Sequence, residues 1–348
     1  VKTLVYPSDE HGCGSFRAIW PGEHCAAAGH DVTVVRQRDR RVQLVMDGGT
    51  VTDVLVDADV VVLQRVTHAY MAQAVAVMRA KGVTVVVDVD DDLSSIHPSN
   101  PAWAVHRPGS GPHSWHNLAL ACREATLVTV STPALLDVYA RHGRGHVLPN
   151  YLPDRYYGLP RTDSDVIGWP GSLHSHPNDP DVVGGAVARL VDEGAEFVMR
   201  GDSTGAGKAF GLAADPAGGG VPLDEWPRSV AGLGVGMAPL ADTRFNAAKS
   251  WLKPLEMSAA GVPWVASPRV EYARLHALGA GVLARRPRDW YRELKRLHGS
   301  AELRQELSDA GRAVAEQLRL SQHAWRWQEA WARAYETQQA TPRSRVAA

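Results

Sequence analysis

Between Arg244 and Ser267 the chain reads RFNAAKSWLKPLEMSAAGVPWVAS, and Lys249, Lys253 and Glu256 stand in it at helical spacing. Two ammonium groups beside a helix start, together with the backbone N–H groups there, make a site for a diphosphate. A carboxylate about two turns along can accept hydrogen bonds from a diol such as that of a ribose. Asn246 is placed to cap, Ser250, Trp251 and Leu252 open the helix, and Leu255, Met257 and Ala260 face a core. The same spacing also describes an ordinary solvated helix face, so the charges by themselves leave both readings open.

Other reactive side chains stand at the ends of expected strands. The apolar run 83–89 leads into Asp90, Asp91 and Asp92. Carboxylates there can hold a divalent ion, act as a base or acceptor-hydroxyl partner with a raised pKa, or cap the next helix and face solvent. The Pro-, Gly-, Ser- and His-rich stretch 97–116 reads as a loop with His97, His106, His113 and His116. Only the last two stand at i,i+3, and Cys122 is the one nearby thiol, so the spacing is poor for zinc. His113 or His116 is the candidate for a base or an acceptor contact. After the first strand the turn HGCGSF supplies Gly14, and Arg17 follows as either a phosphate or acceptor ligand or half of a local ion pair. The loop STGAGKAFG around Lys208 has the wrong glycine-to-lysine spacing for a P-loop and no Ser or Thr after the lysine.

These groups need a scaffold, and the chain supplies an alternating one. Strands are expected at 2–6, 32–35, 54–57, 60–63, 83–89 and 127–130, with helices at 16–28, 70–81 and 115–125, the rhythm of a doubly wound parallel sheet. Thr132 and Pro133 start a further helix. After a linker at 152–165 the rhythm restarts, with strands at 166–169, 196–199 and 221–223, a helix at 180–193, the strand VGMAPL, and the segment 244–267 itself, whose helix Gly261 stops and Pro263 keeps from continuing. A short strand at 281–283 and helices at 287–298, 301–317 and 321–338 close the chain, the last carrying Trp325, Trp327 and Trp331 at spacings suited to packing.

With 348 residues, 45% of them hydrophobic, the chain is long enough for two full cores. A net charge of −1 gives no overall pull toward nucleic acid or acidic membranes. Three scattered cysteines, Cys13, Cys25 and Cys122, favour a reducing compartment, and no apolar run approaches the roughly 18–20 residues of a spanning helix. A cytoplasmic protein without a leader is expected.

As a set, several segments resemble GT-B glycosyltransferases related to family 4. They are RAIWPGEHCAAAGHDVTVV, VSTPALL, VLPN, the loop containing Gly171, Ser172 and His174, and the donor helix followed by AAGVP. The resemblance implies two Rossmann-like α/β domains facing across a cleft: an acceptor domain at 1–152, a nucleotide-sugar donor domain at 153–320, a helix at 321–338 bracing the N-domain, and a flexible tail at 339–348. It implies transfer of a sugar from a nucleotide-sugar to an acceptor hydroxyl with retention, and no metal or cofactor beyond the donor co-substrate. Gly171, Ser172 and His174 would approach the diphosphate, Arg200 would turn beneath the base, Gly14 and Arg17 would reach the donor from the N-domain, and Glu256 would fix the ribose. The first of the family's two glutamates falls on Ala248, with Asn246, Lys249 and Ser250 nearby. Asp91 and His113 are the acceptor-side candidates. The acceptor stays open among a glycan, a lipid-linked sugar, a metabolite, a protein and a modified nucleic acid. A sugar-nucleotide epimerase, a phosphorylase and a non-catalytic nucleotide-sugar binder are the alternatives.

Overall fold

The structure is a computed structural model that describes residues 1–36 and 39–340. The described residues form two compact units: unit 1 holds Val1–Ile96, Trp103–Asn150 and residues 320–340, and unit 2 holds His97–Ala102 and Tyr151–Arg319.

Unit 1 contains β1 (Thr3–Tyr6), β2 (Val32–Val34), β3 (Val42–Asp47), β4 (Thr50–Val56), β5 (Val60–Gln64), β6 (Thr84–Val89), β7 (Leu127–Val130) and β8 (Gly145–Val147). Six of them make one parallel sheet in the order β2-β1-β5-β6-β7-β8. Runs such as VVVLQ and TVVVDV are buried at every position, as strands must be when helices cover both faces. The expected strand at 54–57 does not join this sheet. It is the end of β4, which pairs antiparallel with β3 around Gly48 and Gly49, both at positive φ as a tight hairpin requires. Val51 and Val54 are its buried residues, three apart because the pairing shifts register opposite Val45 and Met46. The first helix is also not uniform: a π-helical turn, Ser15–Ile19, precedes Trp20–Ala27.

Helix Trp325–Ala340 returns to unit 1. Trp327 and Trp331 are each 1% exposed, and the Trp327 indole donates to the Arg17 carbonyl at 3.3 Å, whereas Trp325 stays in solvent. The helix runs through two residues of the expected tail, and residues 341–348 lie outside the described residues.

Unit 2 holds β9 (Ile167–Pro170), β10 (Phe197–Arg200), β11 (Val235–Ala238), β12 (Trp264–Ala266) and β13 (Val282–Leu283), all parallel in the order β10-β9-β11-β12-β13. Trp169, Phe197 and Phe210 meet edge to face in its core. The helix expected at 180–193 is broken: a 3-10 turn, Asp179–Val182, ends at Gly184 (φ +56°), and Ala186–Asp192 follows. Residues 221–223 are not a strand, and a helix, Val270–Ala277, occupies the expected connector. VPL is too short, and too exposed, to outweigh the turn that Pro222 helps to form.

In each unit the chain leaves a central strand in one direction and returns on its other side. The strand order therefore reverses between β1 and β5 in unit 1 and between β9 and β11 in unit 2. Loops at the carboxyl ends of such strand pairs diverge and leave a crevice, where open α/β sheets bind ligands.

Candidate functional site

At the unit 2 reversal, the loop after β9 meets the segment after β11. Helix Leu252–Ala260 begins there with Trp251 in the cap position, whose side chain supplies no capping acceptor, and ends at Gly261 with φ +77°. Gly171 opens the β9 loop. A Cβ on it would sit 2.6 Å from the Trp169 indole nitrogen and 3.0 Å from Lys253 Nζ, so glycine leaves room for both the ring and the ammonium against this backbone. The Lys253 ammonium also stands 5.8 Å from the Trp169 ring centre, and Lys249 stands 4.3 Å from that of Phe245. Ser172 is half-buried and His174 exposed on the same loop. Ser250 and Leu252 are half-buried, and Trp251 is buried beside the Arg274 guanidinium.

Glu256 is 5% exposed, on the helix face expected to be solvated. Tyr156 donates its hydroxyl (2.7 Å) and Trp226 its indole N–H (3.0 Å) to the same oxygen, Oε1. Oε2 accepts from no group among the described residues. Burial pushes this carboxyl up to about 7, with the two donors and Lys253 pulling only partly back. A buried carboxylate with one oxygen held and the other unclaimed is poised to accept from a ligand hydroxyl.

Asn246 does not cap. Thr243 is the cap of Arg244–Ala247, accepting from Asn246 N through Oγ1, because the chain turns helical three residues earlier than expected. The Asn246 amide instead donates to Asp179 Oδ1 (2.7 Å) and the Ala241 carbonyl (3.1 Å). Asp179, 2% exposed, also accepts from Ala241 N at 2.8 Å, and its Oδ2 lies 2.7 Å from His176 Nδ1. Burial, then Lys253 and Lys249, hold His176 down to about 4, so the ring is neutral. Arg200 is anchored through Nε to the Ser229 carbonyl at 3.1 Å, on the far side of β9 from β11.

The unit 1 candidates separate. Arg17 is a correction: at 2% exposure it forks onto both oxygens of Asp88 (3.0 and 2.8 Å), and Nη1 reaches the Leu148 carbonyl and Asn150 Oδ1. The local-pair reading holds because Asp88, inside β6, has no other cation within reach among the described residues. Gly14 is a second correction. Its N–H donates to Asp9 Oδ1 (3.1 Å), as does that of His11 (2.9 Å), so an internal carboxylate takes the anion's place in that turn. Asp215 does the same to Gly205 and Gly207 in the Lys208 loop.

Of the three aspartates, Asp92 caps the turn Leu93–Ser95. Asp90 pairs with Arg65 at 2.6 Å, and although burial pushes it up, that guanidinium takes it down to about 2. The raised-pKa base is therefore not found in Asp90. Asp91 stands 3.7 Å from Arg65, partly exposed. His113 lies elsewhere, in a left-handed conformation (φ +54°) before helix Ser114–Glu124, on an open pocket with His116 and Asn117.

Sequence reading missed His176, Asp179, Tyr156 and Trp226. His176 and Asp179 carried a signal, an i,i+3 His-Asp pair just past the Gly-Ser loop. Tyr156 carried none, lying 100 residues from the carboxylate it holds.

No protein-family profile matches the sequence, and no curated protein does. Solved structures do. Sucrose-phosphate synthase from Thermosynechococcus elongatus superposes with a TM-score of 0.65 at 12% identity, over 97% of this chain and 100% of that one. WaaG, a glycosyltransferase involved in lipopolysaccharide biosynthesis, gives 0.60 at 12%, over 95% and 99%. Anabaena HepE, solved in complex with UDP and glucose, gives 0.57 at 16%, over 79% and 78%. The chain therefore has the GT-B fold, with two Rossmann-like units of helix-flanked parallel sheet.

Proposed function

We propose that the protein is a glycosyltransferase that takes a sugar from a nucleotide-sugar bound in unit 2 and passes it to an acceptor hydroxyl, with retention of configuration. The observation that carries this reading is the convergence at one strand reversal of Lys253 against Gly171 and of Glu256 with Oε2 unclaimed. Lysine charge and the Leu252–Ala260 helix start meet the diphosphate. Glu256 accepts from the ribose diol. As the bond from sugar to phosphate breaks, negative charge grows on the diphosphate, and fixed positive charge there lowers the barrier without reorganising. The departing phosphate can itself take the acceptor's proton, so no protein base is required. Acceptor recognition is assigned to unit 1, with Asp91 and His113 as candidates and the acceptor class open. Free thiols at Cys13, Cys25 and Cys122 suit a reducing compartment, and we assign the cytoplasm. Among the described residues no helix is long and apolar enough to cross a membrane.

The test is thermal unfolding with UDP-, GDP-, ADP- and TDP-sugars. A ligand at a hundred times its Kd stabilises by about 2.7 kcal/mol, and the expected outcome is protection by one nucleotide class that Lys253→Ala removes. Protection by none of them defeats the reading. Protection in wild type, with no sugar transfer to any acceptor or to water, would favour a non-catalytic binder.

A further inference from the structure

We propose that His176, oriented by Asp179, is a specificity contact that accepts a hydrogen bond from a hydroxyl of the donor sugar; this rests on the nucleotide-sugar reading above. The loop after β9 that carries Gly171, and so lies against Lys253, also carries His176. Asp179, almost wholly buried, accepts from Ala241 N and Asn246 Nδ2 through Oδ1, and its Oδ2, which has no other partner among the described residues, lies 2.7 Å from His176 Nδ1. A carboxylate held this way fixes one imidazole tautomer: Nδ1 carries the proton and Nε2 presents a lone pair. Nε2 has no protein partner among the described residues.

Asn246 points the same way. Its two amide hydrogens face Asp179 and the Ala241 carbonyl, both acceptors, so the amide's orientation is unambiguous and Oδ1 is the atom left over. Oδ1 accepts from no group among the described residues. His176, Asp179 and Asn246 line one cavity with Asn100, Thr243 and Phe245, of about 20 Å³. That is room for about one water, or for one hydroxyl oxygen entering from a bound ligand. Burial, with Lys253 and then Lys249 adding to it, keeps the imidazole neutral. Ala248, on the same segment, offers only a methyl group. His176 Nε2 and Asn246 Oδ1 are two acceptors placed to read a ligand hydroxyl.

The experiment uses the whole chain. Thermal shifts with UDP, GDP, ADP and TDP select the diphosphate, and its glucose, galactose, mannose and N-acetylglucosamine conjugates are then titrated by calorimetry. With the tightest conjugate, His176→Ala is expected to weaken binding roughly tenfold while the bare diphosphate changes by less than about twofold. Asp179→Asn, which frees the ring to turn, is expected to lower conjugate affinity in the same selective way, and His176→Gln, which keeps an acceptor, to recover part of it. Equal losses for diphosphate and conjugate, no loss for either, or a wild type that binds every conjugate no better than its diphosphate, each overturn the proposal. Should His176→Ala not fold, His176→Gln and Asp179→Asn decide on the same criterion. Failure of wild type to bind any of the four diphosphates defeats the nucleotide reading itself, and is seen before any variant is made.

Discussion

Glu256 and Arg17 are both buried ionisable side chains, and their partners give them opposite uses. Glu256 keeps its proton up to about pH 7 in the folded chain, against 4.5 for an ordinary glutamate, so the folded state binds more protons between those values. Stability therefore falls as pH rises through that window, by on the order of 3 kcal/mol in all. Glu256→Gln keeps an acceptor for Tyr156 and Trp226 without that cost. Urea unfolding should find the variant more stable than wild type at pH 8 and no more stable at pH 4. Ribose hydroxyls donate to the ionised form, so nucleotide affinity should rise from pH 6 to pH 8 in wild type and lose that dependence in the variant, as read by calorimetry. Arg17 is fully compensated by Asp88, and Arg17→Ala strands that carboxylate with only the Thr129 hydroxyl at 2.7 Å. A loss of about 3–5 kcal/mol is expected in denaturant unfolding.

Within elements, Gly171 lies against Lys253 and Gly261 ends the helix that carries it, and the two should fail differently. Gly171→Ala drives a methyl group between the Trp169 ring and Lys253, where a neighbour must move. Nucleotide affinity should fall for this variant, with overpacking costing roughly 1–3 kcal/mol. Gly261 ends the same helix at φ +77°, and any Cβ there also meets the Arg312 guanidinium. Gly261→Ala should cost at least about 1–2 kcal/mol in thermal unfolding and leave the nucleotide Kd of the folded fraction unchanged, since the site is at the helix's other end. These two readouts separate helix termination from ligand contact.

For the molecule as a whole, unit 1 is not continuous in sequence: it is completed by the last helix. Trp327 and Trp331 are among its largest buried side chains. Each truncation to alanine should cost about 3–5 kcal/mol, and removing residues from 325 onward should leave unit 1 without cooperative unfolding by circular dichroism. Restored cooperativity in that truncation would show that the helix is dispensable to the core.

Local chemistry was enough to read the parallel α/β rhythm, the stop at Gly261, the strand after it and the helix-forming donor segment, because period, glycine and proline act within a few residues. The buried face of Glu256 was not legible. Charge spacing places it on a polar face, and only the arrival of Tyr156 and Trp226 from distant segments makes that position interior. Arg17 had two readings of equal standing, and the register of β6, which sets Asp88 beneath it, selected one. The glycine turn at Gly14 announced an anion site that Asp9 already fills. Sequence thus supplied the groups able to bind a diphosphate. Which of them meet, and which are neutralised by the protein's own carboxylates, was decided by tertiary packing, because an ionisable group's role depends on the charge and water left around it after folding.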